Sequence, residues 1–462
     1  MGASRMSYIS RLNRYFLEAI KRRERLLPKA TLQQYLTRML DKRRILLESA
    51  QRFGTPQYFF DEPSLTLSIT QFKEAFSRCL HRYRLFYALK SNSFPGICRR
   101  TVAEGMGLDV SSGLELSMAL ATGCKEIIFS GPGKADEELM LAIKNCSRVT
   151  LLLDSFGELR RLSEILKRQN IRTKPLRAGI RIQPLGNWNK FGIPLMDLSL
   201  MLEKARDVEG LKPCGIQFHT SWNLDPKPQI DMIRRIACHL SREVDPNLSR
   251  ALQFLDIGGG FWPEQGEWLN PQNTLKGKLT ELLDPDAPSN AKHYYRKATP
   301  IDQFAREIAA AQSQQPPPLP GLELWMEPGR WISTPAMHIL IRVLDKKDSR
   351  TVITDGGTNL LGWERPLSEF IPVINLTRPS FREETTRVFG SLCTPYDIWG
   401  YSSFGEGIGT GDILLIPDQG AYTYSLRQPF IKPRARVIQY DGNTLEEVEK
   451  EEIWDQKRAR AC

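Results

Sequence analysis

Between residues 56 and 331, short apolar runs alternate with stretches whose apolar residues recur every three or four positions. RLFYALK, GLDVSS, EIIFSGPGK, VTLLLDS, RAGIRIQP, CGIQFHTSW, LQFLDIGGGF and LELWMEPGR have the length and composition of strands, and most lead into a helical pattern such as ADEELMLAIKN or FGELRRLSEILKRQ. Eight such units over this length predict a (β/α)8 barrel rather than an open doubly wound sheet. After Trp331 the helical period disappears. AMHILIRVLDKK, RTVITDGG, DILLIPDQGAYTYSL and PRARVIQYDG predict a second, all-β domain of sandwich or barrel type.

The pattern divides the chain into a helical N-terminal arm (1–53), a strand that joins the β-domain (54–62, with PQYFFD), the barrel (63–331), the β-domain (332–445) and a tail (446–462). A polar insertion at 262–299 borders the loop after GGG and is expected to act as a lid or specificity wall. SQQPPPLPG reads as a stiff connector into the last barrel strand rather than as a ligand for a proline-binding module. In the arm, Leu12, Tyr15, Phe16, Leu17 and Ile20 fall at near-helical spacing and Pro28 divides the segment, which predicts two successive amphipathic helices.

Charge changes this picture in one place. The 462 residues carry a formal charge of +11, but thirteen Lys/Arg against four Asp/Glu put +9 of it in the first 53 residues. The arm is expected to pack on its own chain or a partner chain. Nucleic acid, an anionic membrane or an acidic carrier are the alternatives for it, and no nucleic-acid partner is expected. No apolar run approaches the roughly 18 residues that cross a bilayer, and the first residues lack a signal-peptide pattern, so a cytoplasmic protein is expected. MGASRM places Met6 where N-myristoylation requires Ser or Thr. Eight scattered cysteines without ligand spacing predict reduced thiols and no metal site.

In a barrel of this kind, reactive groups sit at the C-terminal ends of the strands. Those ends carry Lys90, Ser111, Ser112, Arg181, His219, Gly258, Gly259, Gly260, Glu327 and Arg330: an amine, an imidazole, a phosphate-sized glycine cradle, a carboxylate and guanidinium groups. Each has a bland reading: Lys90 as a solvated charge, His219 as a satisfied structural histidine, the glycines as a flexible turn, and Arg330 as a surface partner of Glu327.

In combination and in order, YALKSN, GLDVSSGLEL, IIFSGPGK, NKFGI, GIQFHTSW, LDIGGGF, EPGR, ITDGGTNLLGWERPL, GSLCTPYD and GAYTYSL resemble the fold-type III pyridoxal-phosphate decarboxylases, the diaminopimelate and ornithine/arginine decarboxylase group. The resemblance implies an alanine-racemase-like barrel, pyridoxal 5'-phosphate as cofactor and loss of an amino acid's α-carboxylate. It also implies roles for individual residues. Lys90 holds the cofactor as a Schiff base, its pKa lowered by desolvation. His219 stacks on the pyridine ring. Gly258, Gly259, Gly260, Gly329, Arg330, Tyr422 and Ser221 surround the phosphate, with Arg181 also at the cofactor. Glu327 sits at the pyridine nitrogen and keeps it protonated, which favours decarboxylation over racemisation. Cys393 takes part in reprotonation and reaches the site of a neighbouring subunit together with Asp397, so a homodimer is expected.

Three departures bear on the substrate. Thr394 stands where the family's diamine-forming members have an acid, Glu369 stands at a tyrosine position, and Trp222 takes the place of the usual serine, with Ser221 one position early. Arg365 is retained and suits a distal carboxylate. The CTP-x-D form resembles a branch acting on larger or carrier-tethered amino acids, so a conjugated substrate is expected first. A free basic amino acid such as diaminopimelate, ornithine or lysine is the alternative, and a non-catalytic regulatory homologue is the alternative of another class.

Overall fold

The computed structural model describes residues 25–169, 174–184, 190–270, 293–362 and 369–452, with isolated positions 10, 13, 17 and 274. Eight parallel strands, β1 (Tyr83–Ala88), β2 (Gly107–Val110), β3 (Ile127–Phe129), β4 (Val149–Leu153), β5 (Leu176–Ile182), β6 (Leu211–Phe218), β7 (Phe254–Asp256) and β8 (Glu323–Met326), follow one another around a closed barrel, with β8 returning to pair with β1. These are the eight runs recognised in the sequence, and the fold is the expected (β/α)8 barrel with a sheet-rich C-terminal domain.

Strand alternation sends every second side chain inward. One inward layer is Phe86, Ile128, Leu152, Phe254 and Trp325, all buried to within 1% of full burial. The remaining inward positions of that layer are glycines, because the aromatic rings occupy their space: a Cβ on Gly215 would overlap the Phe254 ring, and one on Gly179 would lie 2.7 Å from Leu152. Phe254 and Trp325 lie face to face at 3.7 Å. Two residues further along seven of the eight strands, the inward layer becomes polar, with Asp109, Ser130, Asp154, Arg181, Gln217, Asp256 and Glu327, while β1 contributes Ala88.

The second sheet has the order Thr351–Thr354, Glu383–Phe389, Ile398–Phe404, Ile374–Asn375, Ile413–Ile416, Met337–Asp348, Gln57–Asp61, Arg436–Tyr440, Leu445–Glu449. Thr351–Thr354 also pairs with Met337–Asp348, which curls one part of the sheet into a ring. Gln57–Asp61 pairs with Met337–Asp348 and Arg436–Tyr440. Its last residue, Asp61, then caps the helix Glu62–Ser77 through Ser64 N (3.0 Å) and turns the chain into the barrel. The sheet runs past residue 445, because the charged LEEVE segment forms an edge strand with Leu445 turned inward. Its acidic composition hid a strand behind the look of a tail.

The described part of the arm forms the helices Lys29–Asp41 and Arg43–Phe53, with Pro28 at the start of the first. The helix expected before Pro28 lies outside the described residues. Tyr35, Leu36, Met39, Leu46 and Ala50 pack on the β-domain of the same chain. The insertion contributes Glu267–Leu269 and Tyr294–Arg296, which form a three-stranded sheet with Arg25–Leu26. Residues 271–273 and 275–292 lie outside the described residues. Among the described residues, no helix is long and apolar enough to cross a membrane, and the seven described cysteines are free.

Candidate active site

A cavity of about 330 Å³ opens at the C-terminal end of the barrel, lined by Ala88, Lys90, His219, Ser221, Trp222, Gly260, Trp262, Glu267, Glu327, Gly329, Arg330, Leu361, Glu369, Tyr422 and Leu426. Most of the predicted residues therefore converge in one place. Lys90, in the short turn after β1, keeps a third of its side chain open and places Nζ 2.7 Å from Asp109 Oδ2 and 3.8 Å from Glu327 Oε2. Burial alone would lower its pKa, but Asp109 and then Glu327 more than offset this and raise it. The expected lowered lysine is thus corrected: two carboxylates hold it as an ammonium ion.

Glu327 is 2% exposed. Its Oε1 accepts from Gln217 Nε2 at 3.0 Å, and its Oε2 lies 3.5 Å from His219 Nδ1. Burial pushes its pKa up, yet His219 in its protonated form and the Lys90 ammonium together bring it down to about 2. His219 Nδ1 accepts the Gly259 N–H at 3.1 Å, which ties the imidazole to the glycine turn. Gly258 and Gly260 have φ of +68° and +79°, and a Cβ on Gly258 would lie 2.6 Å from Phe218 O and 2.8 Å from His219 Nδ1. Only glycine fits this turn. Arg330 lies over the rings of Trp262 (4.5 Å) and Tyr422 (4.9 Å). A Cβ on Gly329 would meet Ser91, and the Tyr422 N–H donates to Ser91 O at 2.7 Å.

On the rim, the insertion hairpin places Glu369. Leu269 bridges to Glu369, Phe370 N donates to Trp268 O (3.0 Å) and Asn270 Nδ2 donates to Glu369 O (3.0 Å). The Tyr35 ring of the arm lies 4.8 Å from the Trp268 ring. Glu369 Oε1 ends 3.8 Å from Arg330. Trp222 is 66% exposed with φ +53°, a conformation held by the hydrogen bond of its neighbour Asn223 N–H to Gly260 O (2.9 Å).

Other predicted residues go elsewhere. Ser112 caps the helix Gly113–Ala121 and the Ser111 N–H donates to Glu115, so neither lines the cavity. Arg181 belongs to the polar layer, donating to Ser130 O (2.8 Å) and facing Asp154 (3.6 Å) from outside the cavity lining. Cys393 is exposed and, like Thr394, lies outside the cavity of its own chain. Asp397 is buried, with its oxygens accepting from Thr358 N and Leu392 N (both 2.6 Å). Its carboxylate therefore clamps a loop and is not presented to a ligand, a role a residue list could not separate from substrate contact. Arg365 lies outside the described residues. Sequence reasoning missed Asp109, Gln217 and Asp256; continuing the two-residue strand period from Gly107, Gly215 and Phe254, as from Trp325 to Glu327, would have placed them beside Glu327.

An amine, a buried anion, an imidazole, a turn that admits only glycine and a guanidinium group around one cavity form a set that fits pyridoxal phosphate: groups for its aldehyde, ring nitrogen, ring face and phosphate. Fold and site define a barrel enzyme built around that cofactor. Residues 66–334 match the family described as pyridoxal-dependent decarboxylase, pyridoxal binding domain, and the chain belongs to this family. It is a pyridoxal-phosphate-dependent carboxy-lyase acting on an amino acid. It is 28% identical over 437 residues to the diaminopimelate decarboxylase of Methanothermobacter thermautotrophicus, covering 90% of this chain and 93% of that one. It is 25% identical over 405 residues to the L-glutamyl-[BtrI acyl-carrier protein] decarboxylase of Niallia circulans, covering 81% and 86%. The crystal structure of the M. jannaschi diaminopimelate decarboxylase shares the fold with a TM-score of 0.73 at 23% identity, covering 88% of this chain and 92% of that one.

Proposed function

We propose that this decarboxylase acts on a free amino acid of the diaminopimelate type, whose far end carries an ammonium group. The observation that carries this reading is Glu369, which the hairpin sets on the cavity rim 3.8 Å from Arg330, with Glu267 lining the same rim. Carboxylates at the entrance can pair with an ammonium group at the substrate's far end. The diaminopimelate decarboxylases among the relatives support the same reading.

Lys90 would hold the cofactor through its amine, Gly258, Gly259, Gly260, Gly329, Ser221, Arg330 and Tyr422 its phosphate, His219 one ring face and Glu327 the ring nitrogen, with Arg181 supporting this set through the polar layer. When bound, pyridoxal phosphate supplies a sink for the electron pair left behind as the α-carboxylate departs as carbon dioxide. Glu327, ionised down to about pH 2, holds positive charge beside it at any working pH. The Lys90 ammonium must lose a proton before its nitrogen can react, and Asp109 Oδ2 at 2.7 Å is placed to take it. Cys393, exposed on its own chain, is assigned to the cavity of a second copy, where it returns a proton to the α-carbon.

A second reading, a conjugated or carrier-tethered substrate, is favoured by Thr394, a neutral residue where an acid would meet an ammonium group, and by the carrier-protein glutamyl decarboxylase among the relatives. Sequence reasoning ranked it first, and Glu369 together with the diaminopimelate relatives reverses the order. Carbon dioxide release from meso-diaminopimelate, ornithine, lysine, N-acylated diamino acids and carrier-loaded glutamate separates the two. Brisk turnover of diaminopimelate is expected, and turnover confined to the acylated or carrier-bound compounds would replace the first reading by the second.

A further inference from the structure

We infer that Tyr35, on the N-terminal arm, is a positioning residue that fixes where the rim carboxylate Glu369 stands, which makes the arm a determinant of substrate affinity. The inference deepens the function proposed above and rests on its assignment of Glu369 to the substrate's far end. Three separate segments build the rim. Arg25 and Leu26 of the arm pair antiparallel with Tyr295 and Tyr294, and the Leu27 N–H donates to His293 O at 2.8 Å. Tyr294–Arg296 pairs in turn with Glu267–Leu269, and Leu269 bridges to Glu369. The arm thus supplies the outer strand of a sheet whose opposite edge holds Glu369 by its backbone.

A ladder of rings locks this sheet to the helix Lys29–Asp41. The Tyr35 ring meets the Trp268 ring edge-on at 4.8 Å, Trp268 stacks on Phe370 at 6.1 Å, and Phe370 stacks on His293 at 3.4 Å. Phe370 directly follows Glu369, so a shift of Trp268 is passed to the rim carboxylate. Tyr35, Trp268 and Phe370 are all buried. Tyr35 is itself braced, because the Arg38 guanidinium lies 5.1 Å from its ring centre and pairs with Asp418 of the β-domain at 3.1 Å. A small cavity of about 60 Å³ beside Tyr35 shares Trp262, Glu267, Arg330 and Glu369 with the cofactor cavity, so the arm stands one wall away from the site. Contacts between packed rings are lost across sub-ångström gaps, and removing the Tyr35 ring frees Trp268 to move. The fraction of molecules with Glu369 in place then falls, and apparent substrate affinity falls with it.

The test compares full-length holoenzyme carrying Tyr35→Ala, Tyr35→Phe or Leu46→Ala with wild type. Leu46 lies in the same buried cluster, on the second arm helix, and controls for general loosening of the arm. Amide hydrogen exchange reads the rim without a substrate. In Tyr35→Ala, peptides covering 267–270 and 369–372 should exchange about three- to tenfold faster, the range spanned by one edge-to-face ring pair, with barrel-strand peptides unchanged. Tyr35→Phe, which keeps the ring, and Leu46→Ala should match wild type there. KM for whichever amino acid the enzyme decarboxylates should rise by a similar factor in Tyr35→Ala, with kcat and pyridoxal phosphate affinity within about twofold of wild type. In a Glu369→Gln background the same substitution should add less than about twofold, because the carboxylate it displaces is already gone. Unchanged exchange at 369–372, an equal effect of Leu46→Ala, or full additivity of the two KM changes would overturn the inference. Failure of the function proposed above shows separately, as absence of carbon dioxide release from diaminopimelate.

Discussion

Two layers of the same barrel, one strand repeat or roughly 7 Å apart, have opposite chemistry. The lower layer, with Phe86, Ile128, Leu152, Phe254 and Trp325, is apolar and filled to the point that three strands contribute glycine. The upper layer, with Asp109, Asp154, Arg181, Gln217, Asp256 and Glu327, is almost entirely polar and equally buried. The lower layer holds the barrel together through area removed from water. The upper one is tolerated only because its charges are matched or neutralised, and that requirement presets the site before any ligand arrives.

The largest expected effect in the upper layer is that of Lys90→Ala. Activity should fall on the order of 10⁴-fold, the upper range for a group that moves protons in the reaction, and the yellow absorbance of the purified protein should vanish. A colourless wild type that pyridoxal phosphate does not reconstitute would break the assignment. In the lower layer, Phe254→Ala should leave activity per folded molecule nearly unchanged while lowering the unfolding free energy by about 3–5 kcal/mol, read from denaturant titration. A large loss of turnover in the folded fraction would show that the layers are not separable. On the rim, Glu369→Gln should raise KM for a substrate with a far ammonium group about tenfold, as expected for one charge-assisted contact, with kcat little changed.

The smallest effect is the acid limb of stability. The Glu327 pKa lies below its unfolded value, so its stabilisation is complete above about pH 4.5 and is lost as pH falls toward 2. Glu327→Gln should flatten that limb by about 1 kcal/mol per pH unit, measured from apoprotein unfolding between pH 5 and 3. Asp256, one strand away in the same layer, has a raised pKa, so its contribution to stability falls as pH climbs above about 4.

The barrel strands were legible because their apolar runs are short, regularly spaced and followed by helical periods. The candidate site was legible in part because motifs such as LDIGGGF and EPGR place their functional residues a fixed step beyond a strand. The edge strand at Leu445–Glu449 was not legible, since its stability comes from pairing with Arg436–Tyr440 and not from its own acidic composition. Nor was the separation of Ser111 and Ser112, which serve a helix N-terminus, from His219 and Glu327, which face the cavity; all follow strands.

The sequence alone determined the barrel, because strand alternation is a local constraint that each segment expresses without its neighbours, and its ordered motifs pointed to the cofactor through their resemblance to a known family. Only the tertiary structure decided the charge state of Lys90, the inward turn of Asp397, the unmatched carboxyl at Asp256 and the route by which the arm and insertion carry Glu369 to the rim. Each depends on which groups from distant segments are brought within a few ångströms in a space that water does not reach, and electrostatic energies there follow distance and burial, which no single stretch of sequence contains.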